Sequence, residues 1–237
     1  MIENEFISRI KNYIKRNLLK YRRLKKARLY GLKYVKPNFI YFPRFSESPV
    51  IVDVGCGYEA DFSKYMIDNY NALAFCIDPT KKHAPILKRL EEQFEGHLKY
   101  LQYAISSTDE EITFFESEIN ESGSIYNNHV NVINDKTISY KVKALSIPSL
   151  KDVIKKDHIE FLKLDIEGAE YKIFSNFDFK ALTGVDQLFI EFHHQQIESR
   201  RQSETFDIVQ KIERAGFESF SIDDVNFLFY RKGILEG

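Results

Sequence analysis

Three carboxylates fall within six residues in the run Phe161-Leu-Lys-Leu-Asp165-Ile-Glu167-Gly168-Ala-Glu170. Such a density of charge at the end of an apolar strand is hard to explain as packing. Asp165 is placed to project from the strand tip into a cleft, with Glu167 beside it. Gly168 permits an immediate turn into a helix, and Glu170 then lies in the first helical turn, where the macrodipole favours an anion. A second run, Phe189-Ile-Glu191-Phe-His193-His194, ends the next apolar strand. Alternation puts Glu191 and His193 on one face and His194 on the other. A histidine that titrates near neutrality is a natural general base. His83, His97, His129 and His158 fall in polar stretches and are given no role.

The third run is Asp53-Val-Gly55-Cys56-Gly57, directly after the strand Val50–Val54. Two glycines allow a sharp turn and let a ligand approach the bare backbone. Asp78 closes the following strand, and a carboxylate there can accept both hydroxyls of a ribose. Together they indicate a nucleoside ligand. Two cofactor classes fit, because Gly55-Cys-Gly57-Tyr-Glu-Ala60 also satisfies a dinucleotide pattern. A pyrophosphate, however, is opposed by the flanking carboxylates Asp53 and Glu59. They favour a ligand carrying positive charge, as S-adenosylmethionine does, over NAD. Cys56 reads as a small residue of the loop and Cys76 as core.

These residues need a scaffold that brings strand tips together. From Pro49 onward, short apolar runs alternate with helical stretches, the pattern of parallel strands joined by crossovers. Strands are expected at Val50–Val54, Leu73–Ile77, Leu98–Ile105, Phe161–Leu164 and Val185–Phe192, with helices over Asp61–Tyr70, Lys81–Phe94, 148–156 and Thr205–Ala215. Phe217–Ile222 and Phe227–Tyr230 flank an Asp/Asn turn and form a hairpin. Residues 106–147 read as an insertion with strands at Glu111–Phe115 and Ile138–Ala144. The expected architecture is α/β, a doubly wound and mostly parallel Rossmann-like sheet closed by a C-terminal antiparallel hairpin.

The chain has 237 residues, 43% of them hydrophobic, and a formal charge of −1. One domain with a sizeable core suits that length. Residues 1–36 hold twelve Lys/Arg against two Glu, a net of +10, so the remainder carries −11. Domain organisation is therefore expected as a basic amphipathic helical arm, 1–36, and a single domain, 37–237. In the arm Ile2, Phe6, Ile10, Tyr13, Ile14, Leu18, Tyr21 and Leu24 recur on one helical face. The favoured reading packs that stripe on the acidic body. A peripheral contact with an anionic membrane or an acidic partner is the alternative. The longest apolar run, Ala72–Ile77, is far too short to span a bilayer, and the charged N-terminus shows no signal peptide. Two cysteines without a Cys-x-x-Cys pair exclude a disulfide scaffold and suit a reducing compartment. The expected location is cytoplasmic, with peripheral attachment to the inner membrane surface as its variant.

The fourth-strand segment Lys163-Leu-Asp165-Ile-Glu167-Gly168-Ala-Glu170, with Glu191-Phe-His193 downstream, resembles the FkbM family of S-adenosylmethionine-dependent methyltransferases over about 49–231. Asp78-Pro79, Ala104-Ile105 and Ser122-Gly-Ser124 follow the family's order. The loop Gly55-Cys-Gly57-Tyr-Glu-Ala60 and the Asp-Pro pair depart from its commoner G-A-N-x-G and Glu-Pro. The resemblance implies the seven-stranded methyltransferase sheet and O-methylation of a hydroxyl on a sugar, glycan or natural-product acceptor. It also implies cofactor contacts from Asp53, Gly55, Cys56, Gly57, Glu59, Asp78, Pro79, Ala104, Ile105 and Asp165.

His193 is expected as the base, with Asp165 and Glu167 beside it, and Glu191, His194 and Ser124 toward the acceptor. Asp165, Glu167 and Glu191 are hard oxygen donors that could hold Mg²⁺, but no metal is expected. The competing readings are an NAD-dependent oxidoreductase and a non-catalytic binding protein of the same fold. Nucleic acid is not the expected acceptor, since Asp78-Pro79 is followed by Thr80 and not by the second proline of a base-gripping segment.

Overall fold

The computed structural model describes residues 17–36, 38–133, 135–197 and 199–234. The part of the amphipathic stripe from Ile2 to Ile14 lies outside the described residues. A helix, α1, occupies 17–29. It leads into a small hairpin of β1 (Lys33–Val35) and β2 (Phe39–Tyr41), and the main sheet then begins with β3 (Val50–Val54), α2 (Asp61–Tyr70), β4 (Leu73–Ile77), α3 (Ala84–Gln93) and β5 (Leu98–Leu101). The insertion supplies β6 (Ala104–Ile105), β7 (Glu110–Ser117), β8 (Gly123–Ser124), α4 (Val130–Ile133) and β9 (Thr137–Leu145). The chain finishes with α5 (Ile147–Ile154), β10 (Ile159–Leu164), α6 (Ala169–Ser175), β11 (Val185–Glu191), α7 (Gln202–Arg214), β12 (Phe217–Ser221) and β13 (Asn226–Arg231).

Seven strands form the main sheet in the order β12-β13-β11-β10-β3-β4-β5. The pairs β10–β11, β10–β3, β3–β4 and β4–β5 are parallel, while β13 runs antiparallel to both β11 and β12. This is the expected doubly wound sheet with its C-terminal hairpin. Its central strands are apolar on both faces because helices cover both. On one face Ile147, Leu150, Tyr171, Phe174, Ile208 and Ile212 pack on Leu162, Leu164, Leu188 and Ile190. On the other, Met66 of α2 joins Phe39, Ile40, Tyr41 and Phe42 against Ile51, Phe161, Phe189 and Leu228. Chain order reverses between β3 and β10, and a doubly wound sheet opens its ligand crevice at such a reversal.

Three expectations change. The run Leu98–Ile105 is broken, because β6 leaves the main sheet to pair with β9 in a second, four-stranded sheet ordered β6-β9-β7-β8. That sheet is the insertion. The boundary at 36/37 falls inside the β1–β2 hairpin, where Lys33 pairs with Tyr41. Ala27 and Leu32 of the arm share the hydrophobic cluster of Phe39 and Phe161, so the end of the arm belongs to the domain. Lastly, of the stripe members that fall in α1, Leu24 packs on the body and two do not. Ala27 and Leu24 face the body, whereas Leu18 is 56% and Tyr21 68% exposed.

Gln187, fully buried on β11, anchors the N-terminal hairpin to the sheet. Its Oε1 accepts the Phe42 N–H at 2.8 Å and its Nε2 donates to the Phe42 carbonyl at 3.0 Å. A Gln187→Leu substitution preserves much of the volume and leaves both backbone groups without partners. The expected loss is about 2–4 kcal/mol, seen as a lower urea midpoint at unchanged m.

Candidate active site

The tips of β3, β4, β10 and β11 open into a cavity of about 730 Å³. The loop after β3 turns back on itself with Gly55 at φ 73° and Gly57 at φ 64°. At Gly55 the need for glycine is absolute, since a Cβ there would sit 1.7 Å from the Asp165 carbonyl oxygen. Two strand tips are thus pressed together by a missing side chain.

Asp78 is buried and fixed. One carboxylate oxygen accepts the Gly57 N–H at 3.1 Å; the other accepts the Thr80 N–H at 2.8 Å and lies 3.3 Å from His83 Nδ1. Both Asp78 and His83 line the cavity, as do Pro79, Ala104, Ile105, Cys56 and the two loop glycines. Burial pushes the Cys56 thiol well up, so it stays neutral.

Asp53 is fully buried beneath the loop and bonded to Ser63 Oγ at 2.9 Å and Lys163 Nζ at 3.2 Å. Lys163 is Asp53's register partner on β10, and its ammonium also reaches Asp165 at 3.3 Å. Burial opposes its charge, but Asp53 and Asp165 outweigh that and raise its pKa. Asp53 therefore offers no free charge to a ligand, contrary to the expectation from sequence. Glu59 is exposed and is not among the cavity-lining residues, so it too drops out of the electrostatic argument. Besides Asp53, the negative side chains among the residues lining the cavity are Asp61, Asp68, Asp78, Glu121, Asp165, Glu167 and Glu191.

Behind Asp165 and Glu167 lies His193, 3% exposed and absent from the cavity lining. Its Nδ1 is 3.0 Å from Glu170 Oε1, and its Nε2 is 3.5 Å from Asp165 and 3.7 Å from Glu167. Burial works against the charged ring, yet Glu170, Asp165 and Glu167 overcome it and hold its pKa near 10. The three carboxylates favour the charged ring, which has no lone pair for a substrate proton. That bias, and its absence from the cavity lining, both count against its expected role as base. Glu170 is itself fully buried and accepts the Ile166 N–H at 3.1 Å, capping the turn from β10 into α6. Glu191 is the group whose titration fits a base. Burial and the charge of Asp165 push it up to about 7, and it lines the cavity.

Two further residues are placed differently from the sequence reading. His194 points away, as alternation required, and its Nδ1 meets Thr205 Oγ1 of α7 at 3.1 Å. Ser124 is buried, donates to the Glu167 carbonyl at 2.7 Å and accepts the Tyr126 N–H at 3.0 Å. It ties the insertion to the β10–α6 turn and does not line the cavity. Both lose their assignment to the acceptor.

Two histidines without an assigned role belong to the site. His83 backs Asp78, a fold-back legible in its position five residues on, at the start of α3. His129, fully buried, reaches Glu167 at 2.9 Å and Gln196 at 3.2 Å. No local signal marks it, because the insertion folds over the β10 tip from far away in sequence. Among the described residues, one group could bring three donor atoms to a metal ion: Asp165, Glu191 and His193, within 4.8 Å of one another.

The sequence model described as the Methyltransferase FkbM domain matches residues 53–219. No protein of curated function matches. Among solved structures, the methyltransferase FkbM of Methylobacillus flagellatus superposes with a TM-score of 0.50 at 15% identity. The match covers 79% of this chain and 44% of that one, so this chain spans less than half its length. The fibrillarin pre-rRNA processing protein of Methanococcus jannaschii gives 0.46 at 12% identity, covering 86% and 72%. TrmK of M. capricolum, in complex with S-adenosyl-homocysteine, gives 0.37 at 12%, covering 78% and 62%. At these identities the likeness is one of fold.

Two outcomes follow from the buried charges. Lys163→Met strands Asp53 in the core and is expected to cost about 3–5 kcal/mol in urea unfolding. Adding Asp53→Asn should recover much of that loss. His193 has a folded pKa raised above its unfolded value. Its contribution to stability is thus complete below about pH 6.5 and is lost as pH rises through about 10. The stability gap between wild type and His193→Gln should therefore narrow across that window.

Proposed function

The chain belongs to the FkbM methyltransferase family, and on that premise we propose that it moves the methyl group of S-adenosylmethionine to a hydroxyl of a sugar, glycan or natural-product acceptor. The observation that carries this reading is the cavity at the reversal point of the sheet. There Asp78, fixed by the Gly57 and Thr80 N–H groups, faces a glycine turn that no side chain crowds. Those residues fit an adenosyl group. Asp78 is oriented to accept ribose hydroxyls, and the bare backbone at Gly55–Gly57 admits close approach. Asp165, Glu167 and Glu191 supply the negative surroundings that a sulfonium and an amino group favour and a diphosphate does not.

When bound, S-adenosylmethionine supplies an activated methyl on a positively charged sulfur, with S-adenosylhomocysteine as the leaving group. The protein's first task is alignment, for which well-oriented proximity can contribute about 7–11 kcal/mol. Its second is to take the hydroxyl proton as the C–O bond forms and the C–S bond breaks. Glu191 fits that task because it lines the cavity and its carboxylate titrates near 7. His193 acts through others, holding Glu170, Asp165 and Glu167 in place as their shared counter-ion. The outer cavity is lined by Lys36, Asn38, Asp61, Lys64 and Asp68 together with Phe62 and Tyr65. Polar groups interleaved with aromatic faces suit a polyhydroxyl acceptor.

Calorimetric titration should show S-adenosylhomocysteine binding and NADH failing to bind; the reverse result overturns the proposal. With an acceptor in hand, kcat/KM should rise with pH through about 7 and then level, because Glu191 must lose its proton to act. Glu191→Gln should lower the plateau by about 10²–10⁴-fold and abolish that rise. Turnover should persist in excess chelator.

A further inference from the structure

Among the described residues of the arm's apolar stripe, Leu24 packs on the body and Leu18 and Tyr21 do not. Leu18, Tyr21, Leu29 and Tyr30 are between 50% and 77% exposed. At 100° per residue Leu18, Tyr21, Arg22, Lys25 and Leu29 share one arc of α1, with Lys26 and Arg28 on its two borders. All four cations are exposed, and the helix contains no acid. A face of exposed leucine and tyrosine rimmed by cations matches the boundary between headgroups and acyl chains of an anionic bilayer. A nucleic acid would use the cations through its phosphates but has little use for protruding leucines.

The helix also stands at the cavity rim. Lys20 Nζ donates to Asn38 Oδ1 at 3.1 Å, and Asn38 lines the cavity. Arg23 pairs with Asp224 at 2.8 Å in the β12–β13 turn. That turn precedes Asn226, another lining residue and the register partner of Glu191. The remainder of the chain, with a net charge of −11, is repelled by an anionic surface, so attraction confined to the arm would orient the molecule.

We propose that this face of α1 docks on an anionic membrane surface and sets the cavity mouth at the lipid–water interface, so that the acceptor hydroxyl is presented by a membrane-held molecule. The docking rests on the surface alone, and the acceptor clause rests on the methyl-transfer reading above.

The test uses the full chain with sedimenting vesicles of phosphatidylcholine, pure or mixed about two to one with phosphatidylglycerol. Binding is expected on the mixed vesicles only. It should weaken about fivefold for each of Arg22→Ala and Lys25→Ala, and about tenfold or more for Leu18→Ser with Leu29→Ser. These positions are exposed, so the urea midpoint and S-adenosylhomocysteine affinity should not move. Equal retention on both vesicles, leucine variants that bind like wild type, or tighter retention on single-stranded RNA would overturn the docking. A chain that binds S-adenosylhomocysteine and ignores the vesicles refutes the docking alone. One that binds vesicles and not S-adenosylhomocysteine refutes the methyl-transfer reading and, with it, the acceptor clause.

Discussion

A carboxylate can be buried at a strand tip only if a cation is buried with it. Here the cation is Lys163, directly across from Asp53 in the β3–β10 register and 3.3 Å from Asp165 two residues further on. Its ammonium lies 3.5 Å from the Gly55 carbonyl, so the same group that neutralises two acids also steadies the ligand loop. Gly55 in turn lies against the Asp165 backbone too closely for any other residue. The loop, the buried pair and the β10 tip are one mechanical unit, and the cavity takes its shape from it.

A second layer of compensation sits behind the first. Glu170 is fully buried, and only the imidazolium of His193 and the Ile166 N–H answer its charge. Asp165 and Glu167 share the same ring from the other side. Lys163 and His193 still favour the ionised form of Glu191, but burial and the charge of Asp165 outweigh them and lift it to about 7. The base proposed for the reaction is thus the acid of this cluster that burial and a like charge push toward neutral pH.

Most of the main sheet was legible in the sequence because its strands are short apolar runs and its helices amphipathic. The helix Asp61–Tyr70 and the strand Leu73–Ile77 coincide with the expected bounds. The convergence of Gly55, Gly57, Asp78 and Asp165 on one cavity was legible for the same reason, since they sit at strand ends and strand ends meet at a switch point. Protonation was not legible. Sequence shows His193 as a titratable group near three acids, but only the distances show that those acids favour its charged form. Asp53 presents the same problem in reverse, since its partner lies 110 residues away. Leu98–Ile105 misled because apolarity is continuous across two strands that belong to different sheets.

The cover over the rest of the cavity has a different origin. It is built by the β1–β2 hairpin and by the insertion, neither of which the sheet's own pattern dictates. Both are tied down by long-range polar contacts: Gln187 to Phe42, Ser124 to the Glu167 carbonyl, and His129 to Glu167. Two of these three end on Glu167, the residue that follows Asp165 by two positions and takes a left-handed backbone at φ 52°. Glu167 therefore joins the acid cluster to the cover above it. A change in the insertion that shifts His129 or Ser124 would move a carboxylate facing His193 and Asp165, and through them the charge balance on Glu191. The insertion and the acid cluster are joined by that short path, while the Asp78 end of the cavity is held by its own backbone contacts.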